Sequence, residues 1–259
     1  MRFIAVIACL LLAGTVGALS QERDTQMERR EVIRLLGQLP DIAPVREDLQ
    51  RLGFRGENLA LAVRQAELLY RDPVIAGYVA DRVIAAFEDP TSVQVADGLM
   101  WPLIERGLGH LTTGELKFYY TVERTIMEAM TVRQCGLAVS HRMRPQHFAE
   151  VTSRVAARMN TEALKEYYRI QAKAARIGAR RAPVRLSAAE IRRVEERVQA
   201  VMTRSIEATD RAGRLMAAMV NLDRASTTDA CAIGRLFLNT VLQFEGRALR
   251  ESLVYMSQS

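Results

Sequence analysis

The sequence predicts an all-α protein, an irregular multi-helix bundle with an apolar C-terminal helix at its centre and one long helix near residues 188–221. Three observations point there. Apolar residues recur at intervals of three and four in nearly every segment, no convincing alternation of period two is found, and helix-start signals are frequent.

The chain opens with Met1-Arg2, an uncharged apolar run from Phe3 to Leu12, and then Ala13-Gly14-Thr15-Val16-Gly17-Ala18. This is the layout of a secretory signal peptide with a cut after Ala18. The expectation is therefore a leader at 1–18 and one all-helical domain at 19–259. An uncleaved anchor is the competing reading, but the uncharged run from Phe3 to Ser20 barely reaches the roughly 20 residues that a spanning helix needs. Cys9 lies inside the apolar run, not just after the cut, which argues against lipidation. The mature protein is expected to be exported, periplasmic or secreted, and not membrane-spanning.

The helices follow in order. The first is expected at 24–38, followed by an irregular connection over 39–56 that contains Pro40, Pro44, Gly53 and Gly56. Helices at 57–71 and 73–88 come next, the second opened by Asp72 as cap and Pro73 at the first position. Capping-box spacing at Thr91/Gln94 and Thr112/Glu115 starts helices at 92–106 and 113–135. Pro145 starts 145–158, and 161–178 precedes a hinge at 179–186 that contains Pro183. Ser187/Glu190 opens 188–221, which would be about 50 Å long if unbroken, with Gly213 as the expected bend. Ser226/Asp229 opens 227–256. Ile233, Leu236, Phe237, Leu238, Val241, Leu242 and Phe244 cover that helix nearly all round, as suits the middle of a bundle.

Loss of the leader would remove Cys9 and leave Cys135 and Cys231, which in an oxidising compartment are expected to pair. Separately buried thiols are the alternative. Of 36 basic side chains, 33 are arginines, and only Lys117, Lys165 and Lys173 are lysines. The excess is local. Residues 173–197 hold eight basic side chains against Glu190, Glu195 and Glu196. Arg176, Arg180, Arg181, Arg185, Arg192 and Arg193 form the candidate basic surface. It suits an anionic surface or another protein as partner. A solvated helix face is the plain alternative. Nucleic acid is a poor partner for an exported chain.

One internal similarity stands out. Thr113-Gly-Glu-Leu-Lys-Phe-Tyr-Tyr120 resembles Thr161-Glu-Ala-Leu-Lys-Glu-Tyr-Tyr168 at an offset of 48, with Val122 and Ile170 in register. Ten residues do not establish a repeat array, and two helices docking by a similar face is the modest reading. On the first helix Glu123 falls among Leu116, Tyr119, Tyr120, Ile126, Met127 and Met130; Gln171 occupies the matching place on the second. A carboxylate so placed requires an arginine, a tyrosine hydroxyl or a ligand beside it. Glu123, Gln171, Tyr120 and Tyr168 are thus candidates to line a ligand pocket, with a buried structural ion pair as the alternative.

His141 and His147 gather with Met143 and Glu150, but Pro145 separates them, and no metal site is expected. Gly-x-Ser-x-Gly, Gly-x-x-x-x-Gly-Lys and dinucleotide fingerprints are missing from the sequence, and no cofactor is implied. The expected function is an exported helical interaction or scaffold protein, inhibitor-like or chaperone-like and non-catalytic. The alternatives are a small-ligand carrier around Glu123 and Gln171, and an all-α hydrolase or mutase using Glu123 as acid or base.

Overall fold

Proline and glycine mark many of the helix boundaries in the computed structural model, which describes residues 29–88 and 100–258. The predicted leader, the start of the 24–38 helix, the Thr91/Gln94 cap and the start of the 92–106 helix lie outside the described residues.

Among the described residues there are α-helices and short 3-10 turns and no strands. The helices are α1 (Arg29–Gln38), α2 (Ala43–Arg51), α3 (Gly56–Tyr70), α4 (Pro73–Glu88), α5 (Trp101–Leu108), α6 (Thr113–Ala129) and α7 (Val132–Val139). They continue with α8 (Pro145–Ala156), α9 (Thr161–Gly178), α10 (Ala188–Glu207), α11 (Ala212–Val220), α12 (Thr227–Leu242) and α13 (Gly246–Met256). The predicted caps at Thr112 and Ser187 close full capping boxes with Glu115 and Glu190. Asp72 accepts from the backbone N–H groups of Val74 and Ile75 at 2.8 and 3.1 Å and so starts α4.

Five boundaries differ from the sequence expectation, each for a local reason. Met100, inside the predicted 92–106 helix, is a cap, and α5 begins at Trp101 with Pro102 at an opening position. Residues 39–56 are not irregular throughout. They form a 3-10 turn at Leu39–Asp41 and then α2, because Pro40 and Pro44 sit at opening positions, where a missing N–H is harmless. The 113–135 helix stops at Ala129. Met130 is extended, Thr131 and Gln134 form a second capping box, and the Arg235 guanidinium covers the carbonyls of Met127, Glu128 and Met130 at 3.1 to 3.3 Å.

The long 188–221 helix breaks at Ala208–Arg211, not at Gly213. Val194, Val198, Met202 and Ile206 bury one stripe of α10, but the following Glu-Ala-Thr-Asp-Arg carries little apolar surface to extend it. The chain therefore turns, and Leu215 and Ala218 face the bundle from α11. The 227–256 helix divides at Gln243–Glu245, and Gly246, at φ +52°, opens α13 in a backbone conformation that glycine adopts without strain.

The expected central helix is α12, which packs against α6, α7, α10, α11 and α13. Two close crossings set the frame. In the first, α5 lies on α9 with Gly107 against the Ala174 backbone and Gly178 against the Leu103 carbonyl, contacts that leave no room for a Cβ. In the second, Gly136 of α7 meets the Thr227 backbone and Gly234 of α12 meets Val139. Beside that second crossing Cys135 and Cys231 are joined, with Cα atoms 5.1 Å apart, as the cysteine count predicts. One apolar cluster runs from Val32 to Val254. A satellite of Phe54, Leu59, Ala62, Ala156, Ala157 and Leu164 packs under the α2–α3 connection. Among the described residues, no helix is long and apolar enough to cross a membrane.

Candidate functional site

The α9 sequence sorts its residues onto two faces. Leu164, Tyr167, Ile170, Gln171, Ala174, Ala175 and Gly178 are buried. Arg169, Lys173 and Arg176, with Arg180 just past the end, stand at spacings of four, three and four, which at 100° per residue confines them to an arc of about 60°. The α5–α9 crossing holds the apolar face down and turns this cationic face outward.

A cleft of about 530 Å³ lies along that face. Its lining includes Arg169, Lys173, Arg176, Arg180, Arg181 and His110 together with Leu68 of α3, Ile75 of α4, and Ala172 and Ile177 of α9. A smaller cleft at Arg64, Glu67 and Arg71 adjoins it through the shared Leu68 and Asp72. Three side-chain contacts tie down the segment that carries the last two arginines. Arg106 donates to the carbonyls of Gly178 and Arg181 at 3.2 and 3.4 Å, and His110 Nε2 lies 2.8 Å from the Ala182 carbonyl.

Not all of this charge is available to a ligand. Lys173 donates to both Glu115 oxygens at 2.8 and 2.9 Å, and Arg169 reaches Glu115 at 3.1 Å and Glu166 at 2.7 Å. Burial alone would raise the Glu115 carboxyl, but Lys173, Thr112 and Arg169 outweigh it and hold the group at about 2. Arg176 pairs with Asp72 at 3.2 Å. Arg180 and Arg181 have no side-chain partner among the described residues.

The predicted basic surface is thus divided. Arg176, Arg180 and Arg181 line the cleft; Arg185, Arg192 and Arg193 do not. Arg193 instead joins Arg197 and Arg247 around the buried Glu251 at 3.3, 3.5 and 2.8 Å. Arg169 belongs to the cleft but lies outside the 173–197 segment. Its spacing from Lys173, Arg176 and Arg180 is the signal that finds it.

The interior candidates take separate partners. Tyr167 donates its hydroxyl to Glu123 Oε1 at 2.5 Å, and the Tyr119 and Tyr167 rings stack with centroids 5.4 Å apart. The two similar segments of α6 and α9 therefore do touch, through residues equivalent at the offset of 48. Burial raises the Glu123 carboxyl, and hydrogen bonds from Tyr167 and Tyr119 only partly oppose it. Among the described residues no arginine pairs with Glu123, so tyrosine hydroxyls take the place of the ion pair weighed from sequence. Gln171 meets Gln65 instead, which donates to it at 3.3 Å. The buried Tyr120 hydroxyl has no hydrogen-bond partner among the described residues, and Tyr168 is partly buried beside Tyr167, with ring centroids 6.2 Å apart. Neither cleft contains Glu123.

No three His, Cys, Asp or Glu side chains among the described residues converge as a metal would require. Comparison with known families, curated proteins and solved structures gives no match for this chain.

Proposed function

We propose that this is an exported helical binding protein, of the scaffold, inhibitor-like or chaperone-like kind and non-catalytic, that holds an anionic partner on the outer face of α9. The observation that carries this reading is a built cleft in which the backbones of Arg180 and Arg181 are hydrogen-bonded while their guanidinium groups have no partner among the described residues. Export is supported by the leader-like first eighteen residues and by the Cys135–Cys231 bridge, a kind of bond that persists in oxidising compartments.

The test is affinity capture from the extracytoplasmic fraction with wild type and with Arg180→Glu/Arg181→Glu. A stoichiometric partner lost in the variant, and lost at about 0.5 M salt where screening is short-ranged, is the expected result. A partner kept under both conditions would remove the cleft from the reading. Mass spectrometry of the protein from its host is expected to find a chain starting after Ala18 with no alkylatable thiol.

A second reading, a small-ligand carrier with a polar interior, is favoured by the unpartnered Tyr120 hydroxyl beside Glu123; the raised Glu123 carboxyl would also suit a hydrolase or mutase. Native mass spectrometry that finds a retained small molecule, lost in Glu123→Gln, would favour it over the cleft.

A further inference from the structure

We infer that the α9 cleft takes a single-chain amphiphile with one compact anionic headgroup, the headgroup lying on Arg180 and Arg181 and the apolar body on Leu68, Ala172 and Ile177. This rests on the cleft being the binding site and names what fills it.

The charge balance argues for a small anionic charge. Asp72, Glu115 and Glu166 already engage Arg176, Lys173 and Arg169, which leaves the Arg180 and Arg181 guanidinium groups among the described residues that line this cleft. A polyanion would meet Asp72 in the lining and Glu115 and Glu166 beside it, paired to Lys173 and Arg169. A bare inorganic anion is also a poor occupant. Arg180 and Arg181 are exposed, and ion pairs in that setting are screened by water and contribute too little for stable binding by themselves.

The remainder must come from apolar contact, and the cleft supplies it. Leu68 is 46 % exposed, one of the few large apolar side chains among the described residues left open to solvent, and it stands where the two clefts join. Covering Leu68, Ala172 and Ile177 removes apolar surface from water, which favours binding in proportion to the area covered. The volume of about 530 Å³ lies in the range of ~300–1,000 Å³ typical of small-molecule sites.

The experiment is calorimetric titration of the mature, disulfide-intact protein with decanoate below its micelle concentration. Octyl glucoside serves as the uncharged amphiphile and inorganic phosphate as the anion without a tail. Decanoate is expected to bind at least roughly tenfold more tightly than either. Arg180→Ala/Arg181→Ala and Leu68→Ser are each expected to weaken it several-fold to tenfold, and Arg185→Ala/Arg192→Ala to leave it unchanged.

Equal affinity for decanoate and octyl glucoside, equal affinity for decanoate and phosphate, or no effect of Leu68→Ser would overturn the amphiphile. So would no binding of decanoate, with or without binding to phosphatidylglycerol vesicles or to an acidic protein. If that vesicle or protein binding is lost in Arg180→Ala/Arg181→Ala, the anionic-partner reading survives without the amphiphile. If every interaction is unchanged in that variant, both fail.

Discussion

Glu115 and Glu123 are displaced in opposite directions, so their contributions to stability run oppositely with pH. Glu115 is held at about 2 when folded against an ordinary 4.5, so its stabilising contribution is present above about 4.5 and is lost as pH falls toward 2. Glu123 is raised above 4.5 when folded, so its contribution is fullest below 4.5 and is lost as pH rises through the raised value. Urea unfolding across the pH range is expected to show Glu115→Gln flattening the acid limb and Glu123→Gln flattening the other. Glu123→Gln keeps an acceptor for Tyr167 and is expected to be no less stable than wild type at neutral pH. Tyr167→Phe leaves the buried Glu123 carboxyl group short of a donor and is expected to cost roughly 1–3 kcal/mol in the same measurement. Sequence placed Glu123 on a buried face and named a tyrosine hydroxyl among its admissible partners. Choosing Tyr167 over an arginine required the α6–α9 contact, because both meet the same physical need.

At the scale of elements, two glycines make opposite predictions. A Cβ at Gly107 would strike the Ala174 backbone, which cannot move without shifting α9. Gly107→Ala is therefore expected to destabilise by about 1–3 kcal/mol despite alanine's better helix propensity, and to disturb the cleft that α9 carries. Gly213 on α11 has nothing within 4 Å of the same position. Gly213→Ala is expected to be stabilising by up to about 1 kcal/mol. Thermal unfolding of the two variants checks the pair. The same contrast explains the misplaced bend at 188–221: glycine marks a bend only where the backbone needs it, and here the loss of an apolar face after Ile206 ends the helix. The break at Met130 was similarly hidden. Thr131 and Gln134 carry a cap signal inside a continuous apolar rhythm, and Arg235, which covers the exposed carbonyls, is more than a hundred residues away.

At the scale of the whole molecule, the disulfide ties α7 to the central α12 across a separation of 96 residues. Cys135→Ser/Cys231→Ser is expected to lower stability by roughly 4–5 kcal/mol on a chain-entropy account, read as a shift of the urea midpoint with little change in the folded helix content. By itself the sequence determined the helical class, most helix starts, the pairing of two cysteines, and which segment is central, because these follow from apolar spacing, cap chemistry and composition, all local quantities. Only the tertiary structure decided which arginines share a cleft, which of them Asp72, Glu115, Glu166 and Glu251 neutralise, and where the continuous apolar runs break. Those outcomes depend on which helix faces meet, and the close Gly107–Ala174 and Gly136–Thr227 approaches that set those faces leave no periodic trace in the chain.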